Sequence, residues 1–112
     1  MKQLNTSTRK MNSNATSCRI TCTGNLTGSE ATEIRNEISN CIANGYQTIY
    51  LDTKEVTNVD LSGINEVIHS AYTLANTKSQ FIVIYKSESV VEKWVNTTGL
   101  DKFVQTAIIP AA

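Results

Sequence analysis

Residues 48–85 read TIYLDTKEVTNVDLSGINEVIHSAYTLANTKSQFIVIY, and the order of patterns within them decides the fold. Thr48, Ile49, Tyr50 and Leu51 make a short, β-prone, nearly continuous apolar run ended by Asp52. Such a run suits a strand buried on both faces, and so a central one. From Ile64 onward the apolar residues Ile64, Val67, Ile68, Ala71, Leu74 and Ala75 recur at helical spacing, and residues 81–85 (FIVIY) form a second buried run. Strand, helix and strand in that order imply a parallel, right-handed crossover.

Working outward toward the N-terminus, residues 17–23 alternate Cys18, Ile20 and Cys22 with Arg19 and Thr21, the period of a strand with one buried face. Residues 1–17 are polar, with Asn, Ser and Thr dense at 12–16, and read as a weak first strand followed by a turn. The two strands would form a short antiparallel pair. Thr27-Gly28-Ser29-Glu30 has capping-box spacing ahead of Ile34, Ile38, Cys41 and Ile42, which predicts a helix over about 29–44 stopped by Gly45.

Toward the C-terminus, Ser89-Val90-Val91-Glu92 repeats the capping-box spacing. Val90, Val91, Trp94 and Val95 then line one face as far as Gly99, and their plain helical spacing marks a core stripe in preference to a ligand-stacking one. Residues 103–109 suit an edge strand or an extended tail, with Pro110 ending regular pairing. No internal repeat or linker interrupts the chain, so residues 1–112 are expected to be a single domain. Two strands followed by alternating helix and strand demand a mixed sheet with helices packed on it, an α/β fold.

The bulk properties narrow the function. Of 112 residues 40% are hydrophobic, enough for one core, and ten Lys+Arg balance ten Asp+Glu. With no net field, nucleic acid is not expected as the main partner. The first thirty residues lack a signal-peptide apolar region, and no run of about 18 apolar residues occurs, so membrane insertion is not expected and the chain reads as cytoplasmic. Cys18, Cys22 and Cys41 contain no C-x-x-C pair, and His69 is the only histidine. The cysteines therefore read as reduced, buried thiols and not as zinc ligands. No G-x-G-x-x-G or G-x-x-x-x-G-K-[ST] motif occurs, and no cofactor is expected.

The informative stretch for function is Asn58-Val59-Asp60-Leu61-Ser62-Gly63-Ile64, placed where a loop leaves the central strand and enters the second helix. Asp60 or Ser62 can cap that helix by accepting a bond from an orphan backbone N–H, and Gly63 lets another backbone come close. On those residues alone the stretch is better explained by a helix cap than by a functional site. Asp52 at its strand end and Asn25 in the neighbouring loop are candidates to share the surface, or are turn residues.

Tyr50-Leu51-Asp52 followed by Val56 to Gly63 resembles the "vDl…v…iDssGl" core of the STAS family, the sulphate-transporter and anti-sigma-factor-antagonist domains. Gly24-Asn25-Leu26, the 81–85 strand and Thr98-Gly99-Leu100 match further family features in order and spacing, across roughly residues 17–103. The resemblance implies a mixed sheet of four to five strands with about three helices on one side, and a phosphorylatable Ser or Thr in the motif. Carried over by position, the phosphoacceptor is Ser62. Asp60 matches the acidic residue that orients it, and Asn58, Leu61, Gly63, Ile64 and Asn25 complete the motif and its partner-contact surface. Two features depart from the family pattern. Leu61 replaces the first serine of the usual pair, and the final helix of many relatives is expected to be missing or replaced by residues 107–112.

The function implied is that of an anti-sigma factor antagonist. It would bind an anti-sigma factor with Ser/Thr kinase activity and be switched off by that kinase, with a Ser/Thr phosphatase as a further partner. The alternative within the family is a constitutive adaptor subunit of a lipid-transport or signalling complex. An enzyme reading fares worse: Ser62, Asp60 and His69 invite comparison with a hydrolase triad, but seven residues along a helix separate Ser62 and His69 by about 10.5 Å. Oligomeric state is left open.

Overall fold

The computed structural model describes residues 5–10, 17–75, 77 and 79–110. Its elements follow the expected order: β1 (Asn5–Lys10), β2 (Ser17–Leu26), α1 (Gly28–Ala43), β3 (Thr48–Val59), α2 (Leu61–Ala75), β4 (Gln80–Lys86), α3 (Val90–Thr98), a single 3-10 turn (Leu100–Lys102) and β5 (Gln105–Ile109). One five-stranded sheet has the order β1-β2-β3-β4-β5. The β1–β2 pair is antiparallel and the remaining three pairs are parallel. The turn expected at 12–16 lies outside the described residues.

Each parallel connection steps one strand in the same direction, so right-handed crossovers carry all three helices to one face. Period-2 alternation decides which side chains meet them. Ile20, Leu51 and Val83 are register partners across β2, β3 and β4, all at most 1% exposed, and Cys18, Ile49 and Phe81 form the next row. Ile34 and Ile38 from α1, Ile64, Val67 and Leu74 from α2, and Val91 and Val95 from α3 complete one core. Each fully buried aliphatic side chain of this kind contributes about 1.5–3 kcal/mol. Val90 and Trp94 pack against that core from its margin.

The opposite face of the sheet carries the intervening rows, including Thr21, Asp52 and Ile84. Here Asp52 is buried and held by Arg19 Nη2, which donates to Oδ2, and by Lys54 N, which donates to Oδ1 at 3.0 Å. Lys54 Nζ adds a cation 3.6 Å from Oδ2. Burial alone would raise the carboxyl's pKa, but these hydrogen bonds and cations together hold it below its ordinary 3.8. A depressed native pKa contributes stability above the unfolded-state value, and that stability is lost as pH falls through the native one. Asp52→Asn is therefore expected to destabilise the chain at neutral pH, with the gap to wild type narrowing in urea unfolding below about pH 3.8. A gap independent of pH would show that Asp52 does not stabilise through its charge.

Three sequence expectations change, and one open alternative is settled. The third strand does not end at Asp52: β3 runs on to Val59, and its second half pairs with Thr23 to Leu26 at the end of β2. Gly24 allows this extension, because a register shift lies beside it and its φ is +86°. The final segment is resolved as an edge strand, β5, parallel to β4. At the start of α1, Thr27 makes no side-chain bond to the helix backbone; its hydroxyl donates to Glu30 Oε1, so the capping box does not form there. The box at α3 does form on its first half, with Ser89 Oγ accepting from Glu92 N.

The last change concerns the cysteines. Cys18 on β2 and Cys41 on α1 are joined as a disulfide, Cα atoms 6.6 Å apart, whereas Cys22 is a free, buried thiol. Sequence spacing hid the pair because strand and helix meet only in the tertiary fold. Burial, with a smaller contribution from Glu30, pushes the Cys22 thiol up to about 12, so almost none of it is thiolate at neutral pH. Denatured without reductant, the chain should alkylate at Cys22 only, and at Cys18 and Cys41 as well after reduction. Full alkylation without reductant would overturn the pairing.

Candidate functional site

The site is built where β2 and β3 end side by side and α2 begins. Asn25 and Asn58 are direct register partners, as are Leu26 and Val59. A single residue, Asp60, then separates β3 from α2, so Asn58 and Val59 belong to the strand and not to a loop. Asp60 N donates to Leu26 O at 3.4 Å, and Thr57 Oγ1 donates to Gly24 O at 3.3 Å. Both bonds tie the β3–α2 junction to the end of β2.

Asp60 caps the helix: its Oδ1 accepts from Gly63 N at 2.8 Å, the spacing of an N-cap residue to the third helical position. A cap of this kind contributes about 1 kcal/mol. Because Asp60 takes that role, the Ser62 hydroxyl is left outside the capping bond. Ser62 is exposed in the first turn of α2, Leu61 before it is 57% exposed, and Ile64 turns inward to the core at 1%. The helix start thus presents an apolar side chain and a hydroxyl to solvent, anchored from below by Ile64.

Gly63 is buried against the end of β2. A Cβ there would lie 2.7 Å from the Leu26 carbonyl carbon and closer still to its oxygen. The backbone that Gly63 admits is therefore the last residue of β2, and its missing side chain sets how closely α2 approaches the sheet. A second glycine marks the other wall. A Cβ on Gly28, the first residue of α1, would meet Ser62 Cβ at 3.8 Å, so the first turns of α1 and α2 flank the serine together. Sequence reasoning missed Gly28; nothing in the Thr27-Gly28-Ser29 stretch announces a neighbour more than thirty positions away.

Asp52 does not share this surface. It lies buried on the helix-free face with Arg19 and Lys54, and β3 continues for seven residues beyond it. Asn25 does, but as the penultimate residue of β2 and not as part of a loop. His69 is exposed two turns along α2, and its carbonyl accepts from Thr73 Oγ1. Among the described residues no three His, Cys, Asp or Glu side chains are grouped to hold a metal. No helix among them is long and apolar enough to cross a membrane.

A mixed α/β sheet with an exposed serine in the first turn of α2, beside the paired ends of β2 and β3, is the arrangement that defines the class. The chain belongs to the STAS domain family, whose family model matches residues 8–110. Among solved structures it is similar to an anti-sigma factor antagonist from Mycobacterium paratuberculosis, at 15% identity and a TM-score of 0.78, covering 93% of this chain and 85% of that one. It is also similar to the anti-sigma factor antagonist SpoIIAA in its unphosphorylated form, at 19% identity and a TM-score of 0.67, covering 96% and 90%. The Bacillus cell-fate determinant SpoIIAA in the phosphorylated form gives 20% identity and a TM-score of 0.68, covering 96% and 92%. At these identities the likeness is one of fold. No curated protein matches the sequence.

Proposed function

We propose that this chain is a bacterial, cytoplasmic anti-sigma factor antagonist that binds a kinase-type anti-sigma factor and is switched off by phosphorylation of Ser62. The observation that carries the reading is the exposed Ser62 hydroxyl, left outside the helix cap because Asp60 supplies it. A kinase can reach that hydroxyl without unfolding the helix. The solved relatives support the same reading, since their names record anti-sigma antagonism and a phosphorylated form.

In the unmodified state Leu61, Ser62 and the strand-end residues Asn25 and Asn58 form the docking surface, with Leu61 as its apolar anchor. Docking sequesters the anti-sigma factor and frees the sigma factor for transcription. The kinase then transfers a phosphoryl group to Ser62, adding about −1.5 to −2 charge beside Asp60 and inside a packed contact. Repulsion and desolvation lower affinity, and a Ser/Thr phosphatase resets the cycle.

The test is recovery of partners from the native cell with wild type and Ser62→Asp as baits, together with intact-mass and peptide analysis of the bait. A Ser/Thr kinase held by wild type only, with phosphate on Ser62, is the expected result. Unmodified Ser62 with the same transporter or scaffold subunits on both baits would replace this reading with that of a constitutive adaptor.

A further inference from the structure

The sheet order leaves β5 at an edge, paired with β4 on one side only. Ser87 N donates to Ile109 O at 2.8 Å, and Ile109 is the register partner of Lys86. In a parallel ladder these two facts fix the direction of the backbone groups along the strand. Gln105, Ala107 and Ile109 bond toward β4, and the N–H and C=O of Thr106 and Ile108 point to the open edge. Four of the five residues are exposed, among them Ile108 at 54% and Ile109 at 39%. Edges of this kind are ordinarily guarded by a charge, a proline or a bulge. β5 has none of these: residues 105–109 (QTAII) are uncharged, they pair with β4 in unbroken register, and Pro110 comes only after the strand.

Two copies of one strand edge related by a two-fold axis run antiparallel, and the outward groups of β5 suit that pairing. With the axis at Ala107, Thr106 of each copy faces Ile108 of the other, and each such pair exchanges both of its N–H···O=C bonds. The same register sets one β-branched side chain beside another, a contact that favours pairing, and places no like charges opposite each other. Ten Lys+Arg against ten Asp+Glu leave the copies without net repulsion. We infer that β5 is a self-association edge, through which two copies of this chain join their sheets antiparallel into one continuous sheet. β3 and β4 stand between β5 and β2, so the pairing does not involve the Ser62 surface. A single strand of five residues buries less than the roughly 1,200 Å² of a stable interface, and the dimer is accordingly weak, with Kd on the order of 100 µM.

Sedimentation velocity of the purified chain from about 10 µM to about 1 mM reads the equilibrium, and ¹⁵N spectra over the same range locate it. The expected result is a sedimentation coefficient that rises with concentration toward that of a dimer. The amides of Thr106 and Ile108 should shift and exchange more slowly as it does, while those of Ala107 and Ile109 are protected by β4 throughout. Ile108→Lys puts a cation into the new pairing, and Ile108→Pro removes an outward N–H without removing a bond to β4. Each should raise Kd at least about tenfold while leaving the urea midpoint close to that of wild type. Tyr72→Lys, which removes a similarly exposed side chain from α2, should dimerise as wild type does. Wild type that stays monomeric at the top of the range would overturn the inference. So would a dimer left unchanged by both Ile108 variants, or one weakened as much by Tyr72→Lys.

Discussion

Gly63→Ala is expected to destabilise the domain by about 3 kcal/mol or more, lowering Tm by roughly 10–20 °C. Two effects of opposite sign compete. Alanine favours a helix over glycine by about 1 kcal/mol, which alone would make the variant more stable. Against that, the new Cβ falls on the Leu26 carbonyl, 2.7 Å from its carbon, and on a backbone group that cannot rotate away. Relief requires α2 to draw back from the end of β2, which weakens the Asp60 N to Leu26 O bond and the burial of Ile64 one residue on. Gly28→Ala is the matched control, because its Cβ would make only ordinary contact with Ser62, at 3.8 Å. Urea unfolding of the three proteins decides the matter. A Gly63→Ala midpoint equal to that of wild type would mean that the close approach does not set the position of α2.

Ser62→Asp should weaken binding of the kinase-type anti-sigma factor by about a hundredfold, equivalent to roughly 3 kcal/mol, while leaving stability within about 0.5 kcal/mol of wild type. The fold tolerates the charge because Ser62 is exposed in the first turn of α2, where the helix dipole favours an anion by about 0.3–1 kcal/mol. At the proposed interface the effect reverses: a carboxylate beside Asp60 would add like charge to a contact that must shed water. Ser62→Ala separates charge from hydroxyl, and should bind the partner but accept no phosphate. Calorimetric titration with the purified partner measures the first effect and urea unfolding the second. Binding of Ser62→Asp at full strength would remove the switch from the mechanism.

These two variants bracket what the motif does. Gly63 and Ile64 face inward and hold α2 against the sheet, whereas Leu61 and Ser62, on the same turn, face outward. One helical turn thus combines an anchor that tolerates no added atom with a surface open to chemical change. Asp60 links the halves, its backbone bonded to β2 and its carboxylate to Gly63 N.

Much of this architecture was legible in the chain itself. Helical periodicity at 64–75 and the buried runs at 48–51 and 81–85 determined the parallel crossover, and alternation at 18–22 determined the face of β2, because local periodicity directly reports which side chains avoid water. The D-x-S-G spacing located the helix start and left Asp60 and Ser62 as rival caps. Only the tertiary structure chose Asp60, since the choice depends on where β2 holds the junction. Likewise residues 53–58, polar except for Val56, carry no strand periodicity, and they extend β3 only because the bulged end of β2 lies alongside to pair with them. The Cys18–Cys41 bond and the Gly28–Ser62 contact share that character. Each joins residues distant in sequence, and periodicity is silent about which elements become neighbours once the sheet has formed.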